Sequence, residues 1–376
     1  MSVIGIDASR AVSNEPTGTE GYSYHLTRAL IPRLRARYAV RLYFRTAPLE
    51  APALSDTRAW WEDAEACVMS FPRLWTHVRL SWEMLRRPPD LLFVPSHVLP
   101  LARPRRTLVT VHDVGYRHFP EAHPSPQRRY LDLSTRWNVR VASHVIADSN
   151  ATRNAIAEAY GTDLNKITVV YPGYEADLQP VSDPRRHEQV RQRYAIPGPY
   201  LLFLGRIQPR KNLIRLVEAF ARIAPQHEDL TLVLAGPPGW FLSSITSRVQ
   251  ELGLGQRVRF LGYVASGDKA TLISGARVFT YPSLYEGFGF PVLEAQACGT
   301  PLLTSATSSL PEVAGKGGLQ VDPEDVDAIA EGLTRLLSDA ELRATLVARG
   351  LENLTRFSWA KAAQQTADII EQLLAA

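Results

Sequence analysis

With 376 residues, 45% of them hydrophobic and 21% charged, the chain has the composition of a globular protein rather than a disordered one, and its length predicts two domains. The formal net charge is +4, and residues 1–175 hold 22 Lys and Arg against 17 Asp and Glu. The positive excess therefore lies in the N-terminal half, where it is either solvated or available to anionic lipid head groups or a phosphorylated acceptor. We expect no nucleic-acid partner.

Targeting and redox signals are few. Met1–Arg10 has the pattern of a strand followed by a loop and lacks a basic n-region, so no signal peptide is expected. No apolar run reaches the roughly 18 residues of a membrane-spanning helix. Cys67 and Cys298 exclude a disulfide framework and suit packed thiols in a reducing compartment. The predicted location is the cytoplasm, with peripheral contact at the inner face of the plasma membrane left open.

Short apolar runs alternate with helical patterns in the first half, which indicates βαβ units and a parallel sheet. Helical patterns cover Gly21–Arg37 and Gln127–Ala142. The predicted strands are Val3–Asp7, Val40–Phe44, Leu91–Pro95, Thr107–His112, His144–Ala147 and Ile167–Tyr171.

One stretch of the first half, Leu74–Arg87, is amphipathic, basic and aromatic. Its apolar positions 74, 78, 82 and 85 have helical spacing, and we interpret it as a helix that packs on the core. Contact with a membrane surface is the alternative interpretation.

The pattern restarts after a polar, proline-containing stretch, which predicts domains at 1–175 and 200–357 with a linker at 176–199 that holds a short helix. A last helix is expected in the segment 358–376, where apolar positions have helical spacing. The sequence leaves open which of the two domains it packs on, the N-terminal domain being one of them. The strands predicted in the second half are Tyr200–Leu204, Leu230–Ala235, Val258–Leu261, Val278–Tyr281, Leu302–Thr304 and Leu319–Val321.

The most informative motif runs from Glu286 to Glu294, between a predicted strand and a predicted helix. Pro291 fits the first position of that helix, which places Glu294 in the first turn. Gly287 and Gly289 let the backbone approach a ligand, and ionised carboxylates accept hydrogen bonds from hydroxyl groups. The motif predicts a site for sugar hydroxyls beside a helix N-terminus that attracts phosphate, although a glycine-rich connection with an acidic first turn has the same pattern.

A basic loop follows the first strand of the second half. Gly205 and Arg206 come directly after the strand, and Arg210 and Lys211 precede the next helix. The carboxyl end of a strand in an open α/β sheet is the usual ligand site, so Arg206 and Lys211 are predicted to stabilise a departing diphosphate, with Gly205 at the nucleotide-sugar. Arg210 is the cation of this loop that we expect to be merely solvated.

Candidates in the first half are fewer. His112 and Asp113 end a predicted strand, and Asp113 either faces the ligand or caps the following turn. His97 follows another strand and is a candidate for acceptor binding or a structural residue. Gly18 and Gly21 open a helix and suit phosphate or sugar binding, with a turn capped at Thr19 as the alternative.

The run EGFGFPVLEAQACGTPLLTS, with its E-x7-E spacing, resembles the large family of retaining glycosyltransferases of the family 4 type. Within that family it is most similar to bacterial mannosyltransferases of polysaccharide assembly. The resemblance covers nearly the whole chain and is densest over residues 201–321. It implies the GT-B fold, with two doubly wound, Rossmann-like domains facing a central cleft, an N-terminal domain for the acceptor and a C-terminal domain for the nucleotide-sugar.

The same resemblance implies residue roles. Glu286 would contact the donor sugar and Glu294 the ribose hydroxyls, while Arg206 and Lys211 would clamp the diphosphate and His112 would lie against the sugar. The backbone at Gly287, Phe288 and Gly289 would also touch the sugar.

The expected function is transfer of a hexose, with retention, from a GDP- or UDP-linked donor to a glycan or lipid-linked acceptor. GDP-mannose is the favoured donor, and no cofactor or metal is expected. A sugar-nucleotide epimerase of the same fold and a silent binding protein are the alternatives. An oxidoreductase is disfavoured because neither first strand leads into G-x-G-x-x-G. Asp325 and Asp327 match a metal-binding D-x-D pattern but are expected to cap a helix.

Overall fold

The computed structural model divides the chain into two compact units. Unit 1 comprises Met1–Arg117, Pro124–Gly173 and Phe357–Ala376, and unit 2 comprises His118–His123 and Tyr174–Arg356. The structure describes residues 1–12, 18–47, 61–96, 98–120, 125–239 and 242–376.

Unit 1 is built on a parallel sheet of seven strands in the order β3-β2-β1-β4-β5-β6-β7. The strand order reverses between β1 and β4, which is the switch point where ligands bind in open α/β sheets. The strands are β1 Val3–Asp7, β2 Ala39–Phe44, β3 Glu65–Val68, β4 Leu91–Val94, β5 Arg106–Val111, β6 His144–Ala147 and β7 Ile167–Val169.

The helices of unit 1 include one from the far end of the chain. The predicted C-terminal helix is present as α14 and packs along α1, where the ring of Trp359 contacts Tyr22 and stacks on His25. The helices are α1 Gly18–Leu34, α2 Ser81–Arg86, α3 Gly115–His118, α4 Ser125–Val141, α5 Asn150–Tyr160 and α14 Trp359–Ala375.

Unit 2 has a six-stranded parallel sheet in the order β10-β9-β8-β11-β12-β13, so its switch point lies between β8 and β11. Strands β9, β11 and β12 are buried throughout, as near-continuous apolar runs covered on both faces should be. The strands are β8 Tyr200–Leu204, β9 Thr231–Ala235, β10 Val258–Gly262, β11 Val278–Tyr281, β12 Leu302–Ser305 and β13 Leu319–Val321.

The segment expected to be a linker, 176–199, lies inside unit 2. Its helix buries Val190 and packs on α9, where Asp268 forms ion pairs with Arg186 and Arg193 at 3.0 and 2.6 Å. The helices of unit 2 are α6 Pro184–Arg193, α7 Leu213–Ile223, α8 Leu242–Glu251, α9 Ser266–Ser274, α10 Phe290–Ala297, α11 Leu310–Ala314, α12 Val326–Ser338 and α13 Ala340–Leu354.

The prediction that positions 74, 78, 82 and 85 face the core is wrong. These side chains are exposed, and Trp75, Leu80 and Met84 are buried in their place. The π-helical turn Thr76–Leu80, in which the Leu80 N–H donates to the Trp75 carbonyl at 2.9 Å, leads directly into α2. The stretch has two apolar faces, and the π-helical turn, which has more residues than an α-helical turn, brings the face with Trp75, Leu80 and Met84 to the core.

None of the helices in the described part of the chain is both long enough and apolar enough to cross a membrane.

Candidate active site

The switch point of unit 2 brings Lys211 and Glu286 together. Both side chains are buried, at 6% and 5% exposure. The Lys211 Nζ donates to Glu286 Oε1 and to the Tyr281 hydroxyl, each at 2.5 Å. Arg210 Nη1 donates to the other carboxylate oxygen, Oε2, at 2.6 Å and to the Tyr285 carbonyl at 2.9 Å. Two cations therefore hold both oxygens of one carboxylate.

Backbone contacts fix the loops that carry these groups. The Leu284 N–H donates to the Arg210 carbonyl at 2.8 Å, so the loop after β8 and the loop after β11 are bonded to each other. Asn212 has a left-handed conformation, with φ at 62°, and its Nδ2 donates to the Pro282 carbonyl at 3.1 Å. Asn tolerates this conformation better than most residues do, which explains why the 3₁₀ turn Pro209–Lys211 can end here.

The charge on Glu286 is strongly favoured. Burial raises the pKa of its carboxyl group, but Arg210 and Lys211 outweigh burial and lower that pKa to about 2. The group is therefore ionised at neutral pH. Burial also raises the pKa of the Tyr281 hydroxyl well above its ordinary value, so this group stays neutral.

Arg206 differs from its two neighbours. It is exposed and forms no hydrogen bond or ion pair with any residue that the structure describes. The expectation that Arg210 would be the solvated cation is wrong, because Arg210 is held on Glu286. Arg206 follows β8 and Glu286 follows β11, so an exposed cation that can bind an anion and an ionised carboxylate that can accept from a hydroxyl group both come after the carboxyl ends of neighbouring strands.

The loop that follows β11 is buried and tied to the start of α11. Ser309 Oγ lies 2.9 and 2.7 Å from the carbonyl oxygens of Glu286 and Phe288 and shares its one proton between them. Ser308 Oγ accepts from the Glu286 N–H at 3.0 Å. Phe288 is itself buried. These bonds hold the backbone from Glu286 to Phe288 in one conformation.

Gly289 ends this loop and caps α10. Its φ of 108° is a conformation that side chains rarely adopt, and a Cβ there would lie 2.8 Å from Leu310 Cδ2. The helix begins at Phe290, one residue before the predicted start. Glu294 therefore lies in the second turn instead of the first, and the helix-dipole argument for it does not apply.

Glu294 forms a second charged cluster with residues that the sequence did not indicate. Lys269 Nζ donates to Glu294 Oε1 at 2.8 Å and to Glu175 Oε1 at 3.3 Å. Burial raises the pKa of Glu294 and Glu175 raises it further, while Lys269 lowers it. The two carboxylates raise the pKa of Lys269 despite its burial, so it remains a cation.

In unit 1 the polar residues sit after β5 and β6. His112 Nδ1 and Asp148 Oδ2 are 2.6 Å apart, and the ring of Tyr22 meets the imidazole edge-on at 4.7 Å. Burial lowers the pKa of His112, but Asp148 and Asp113 more than offset this effect and raise it above its ordinary value. The carboxylate orients the imidazole and favours its protonated form.

The other candidates of unit 1 are less informative. Asp113 Oδ1 accepts from the Gly115 N–H at 2.8 Å, which is the turn-capping role. Gly18 and Gly21 lie in the first turns of α1, where a Cβ on Gly21 would meet no atom within 4 Å. Thr19 lies inside this helix and does not cap it. His97 lies outside the described residues.

The D-x-D pattern is a helix cap, as predicted. Asp325 is the N-cap of α12 and accepts from the N–H groups of Asp327 and Ala328. Across the described ranges no group of three or more His, Cys, Asp or Glu side chains could hold a metal ion.

Three residues orient charged side chains in roles that the sequence does not indicate, for different reasons. Arg210 stood in a loop with other cations, and nothing in the sequence showed which of them would reach Glu286. Lys269 lies in a helix without a motif. Asp148 lies between β6 and Ser149, the N-cap of α5, and no motif marks it as a partner of His112. Pairing across strands and helices is a property of the fold that a local pattern does not contain.

Known glycosyltransferase families match both halves of the chain. The family described as Glycosyltransferase Family 4 matches residues 16–178, and that described as Glycosyl transferases group 1 matches residues 187–352. The chain belongs to this class of glycosyltransferases and has the GT-B fold that its sequence predicts.

One relative supports the family assignment, and two solved structures share the fold. O-antigen chain mannosyltransferase B from Escherichia coli is 34% identical over 291 residues, which are 77% of this chain and 76% of that protein. Sucrose-phosphate synthase from Thermosynechococcus elongatus aligns with a TM-score of 0.75 at 23% identity over 100% of both chains. Anabaena HepE in complex with UDP and glucose aligns with a TM-score of 0.74 at 22% identity over 99% of both.

Proposed function

We propose that this glycosyltransferase moves mannose from GDP-mannose to a glycan or lipid-linked acceptor, with retention of configuration and without a metal ion. The observation that carries the proposal is the cluster at the switch point of unit 2. There Lys211, Arg210 and Glu286 are locked together and Arg206 is left exposed on the same loop. Unit 2 would hold the donor and unit 1 the acceptor.

The cations act on the leaving group. The bond between the sugar C1 and the diphosphate oxygen breaks, and negative charge develops on the diphosphate. Arg206 and Lys211 stabilise that charge. Lys211 is already held by Tyr281 and Glu286, so it needs little reorganisation during the reaction, which lowers the barrier. Side-chain cations at this place would serve where other enzymes use a metal ion.

Retention follows from substitution on one face of the sugar. The acceptor oxygen forms its bond to C1 on the side from which the diphosphate leaves, and the acceptor proton passes to the leaving diphosphate oxygen. A covalent nucleophile is disfavoured because both oxygens of Glu286 already accept hydrogen bonds from cations. Glu286 instead accepts from hydroxyl groups of the sugar, and Glu294, oriented by Lys269, accepts from the ribose.

The choice of donor rests on the relatives. The 34% identical protein is named as a mannosyltransferase of the O-antigen chain, which supports mannose as the sugar and a polysaccharide as the acceptor. The Anabaena structure holds UDP and glucose, which makes UDP-glucose the second donor to test.

The test is a donor panel in EDTA with GDP-mannose, UDP-glucose and UDP-galactose, read by mass spectrometry of the glycan product and by NMR of the new anomeric proton. We expect transfer from GDP-mannose alone, with the anomeric configuration preserved. Inversion would contradict the mechanism, and transfer only with added metal would contradict the role given to the cations. A new sugar nucleotide formed without acceptor would favour the epimerase.

A further inference from the structure

One surface of unit 1 carries seven large apolar or aromatic side chains that face solvent. Trp82, Leu85 and Leu133 are 60%, 69% and 64% exposed. We call this set the unit 1 apolar surface; its members are Leu74, Val78, Trp82, Leu85, Leu101, Tyr130 and Leu133. Single exposed apolar residues are normal, but a group of this size marks an interaction site.

Contacts within unit 1 join its parts. His77 Nε2, on the turn that carries Leu74 and Val78, lies 3.3 Å from the Tyr130 hydroxyl on α4. The Ala102 N–H donates to Ser81 Oγ at 3.3 Å, which sets the loop at residue 101 beside α2. Arg103 lies over the ring of Trp137 on α4 at 4.8 Å, so the same loop also reaches that helix.

Leu74 is held in a costly conformation. Its φ is 55°, which places it in the left-handed region, where a side chain with a Cβ is disfavoured by about 1–2 kcal/mol. Its side chain is 66% exposed, so core packing does not compensate for this cost. Neither folding nor packing explains a leucine here, whereas burial against a partner would.

Arginine surrounds the apolar side chains. Residues 73–141 contain twelve arginines and no lysine, against five acidic residues. Two of those acids are already neutralised, since Glu83 pairs with Arg79 at 3.1 Å and Asp132 pairs with Arg117 at 2.9 Å. Arg136 also pairs with Asp132, at 3.9 Å. Other arginines of this part of unit 1 are exposed: Arg73, Arg86, Arg105, Arg129 and Arg140.

On α4 an exposed apolar side chain lies among exposed arginines. Leu133 is flanked on its own helix face by Arg129, Arg136 and Arg140, at spacings of four, three and seven residues. Leu85 and Arg86 are adjacent on α2. Apolar side chains rimmed by arginine match a layer that is apolar inside and anionic at its face.

We propose that the unit 1 apolar surface binds the face of an anionic lipid bilayer. Trp82, Leu85 and Leu133 enter the boundary between head groups and acyl chains, and the arginines bind the lipid phosphates. A protein partner would more often meet a surface whose central residues carry little charge, whereas here arginine is interleaved with the apolar residues. The inference concerns unit 1 alone and does not depend on which donor unit 2 binds.

The test is flotation of the full chain with vesicles of phosphatidylcholine alone and of phosphatidylcholine with phosphatidylglycerol. We expect binding to the anionic vesicles, weakened by salt, and a loss of roughly tenfold or more in partitioning for Trp82→Ser/Leu85→Ser. Arg86→Ala/Arg129→Ala should weaken binding to anionic vesicles while keeping the fold, as judged by circular dichroism.

Leu351→Ser is the matched control, because Leu351 is an exposed leucine on unit 2. It should bind vesicles as the wild type does. Absence of binding to anionic vesicles at low salt, or unchanged binding by Trp82→Ser/Leu85→Ser, would overturn the proposal. A stable complex with a soluble protein that needs Trp82 and Leu85, without vesicle binding, would identify a protein docking surface instead.

Discussion

The position and the charge of the Glu286 carboxylate are fixed by neighbouring side chains of the protein itself. The carboxylate is buried, ionised and held by Lys211 and Arg210, and its pKa of about 2 records how much these cations favour the charge. Buried ion pairs seldom add net stability over apolar packing, but removing one partner leaves an uncompensated charge. The cluster is therefore better explained by binding than by folding.

The first prediction is a double-mutant cycle on this pair. Glu286→Gln should destabilise the protein by about 3–5 kcal/mol, since it leaves Lys211 buried without its counter-charge. Lys211→Met should cost less, because Arg210 still pairs with Glu286. The double variant should lose less than the sum of the two. Urea unfolding measures the coupling, and Glu188→Gln, in an exposed pair, should leave the midpoint unchanged. Additive losses would show that the pair is not coupled.

The second prediction concerns pH. The pKa of His112 is raised above 6.5, so the stability it contributes is complete below that pH and is lost as the pH rises through the higher, folded value. The urea midpoint of the wild type should fall as the pH goes from about 6 to about 9. In Asp148→Asn the fall over this window should be smaller. An identical fall would remove Asp148 as its cause.

For single residues, the sequence predicts which residue types form the site better than it predicts which side chains pair with each other. The sequence indicates Lys211, Glu286 and the cap at Asp325, because each of them follows a strand or opens a helix. Arg210 was judged wrongly and Lys269 was missed, because their partners lie 76 and 25 residues away in the chain.

At the scale of elements, the turn into α10 depends on one glycine. Gly289→Ala should cost about 1–3 kcal/mol and weaken donor binding, because φ is positive and the new Cβ would press on Leu310. Thermal unfolding and titration with GDP measure the two effects. Gly267→Ala in α9, where a Cβ meets no atom within 4 Å, is the control and should be neutral or slightly stabilising. Equal effects of the two substitutions would contradict this account.

Every strand predicted from the sequence is present, and among the strands of the described residues β3 is the one that was not predicted. Buried strands such as β9 are continuous apolar runs, whereas β3, Glu-Ala-Cys-Val, is a four-residue edge strand that is mostly exposed. Its pairing with β2 creates it, and a local pattern cannot report that. The prediction for residues 74–87 was wrong for a different reason. This stretch has two apolar faces, and the sequence does not show which of them packs on the core.

At the scale of the molecule, the C-terminal segment completes unit 1. A Cβ on Gly173 would lie 2.3 Å from the Trp359 backbone nitrogen, so the chain enters α14 through a close backbone contact. The sequence left the partner of this helix open because its apolar stripe fits either sheet. The buried face of α14 settles the question in favour of α1.

The corresponding prediction uses Ile370, which is fully buried in α14. Ile370→Ala should destabilise unit 1 by about 2–5 kcal/mol and raise hydrogen exchange in α1, with little change in unit 2. Gln365→Ala, on the exposed face of the same helix, should behave as the wild type. Equal loss of protection in α7 would show that the two units unfold together.

The central claim is that cations at the switch point of unit 2 stabilise the leaving diphosphate, and Arg206 tests it most directly. Arg206 is exposed and forms no side-chain bond with any residue in the described part of the chain, so Arg206→Ala should fold normally. Arg277→Ala is the matched control, since Arg277 is an exposed arginine just before β11, at the amino-terminal end of that strand, whereas Arg206 follows the carboxyl end of β8. The measurement is kcat for sugar transfer under saturating donor. We predict a loss of roughly 100–1,000-fold for Arg206→Ala and none for Arg277→Ala, and an unchanged kcat for Arg206→Ala would contradict the claim.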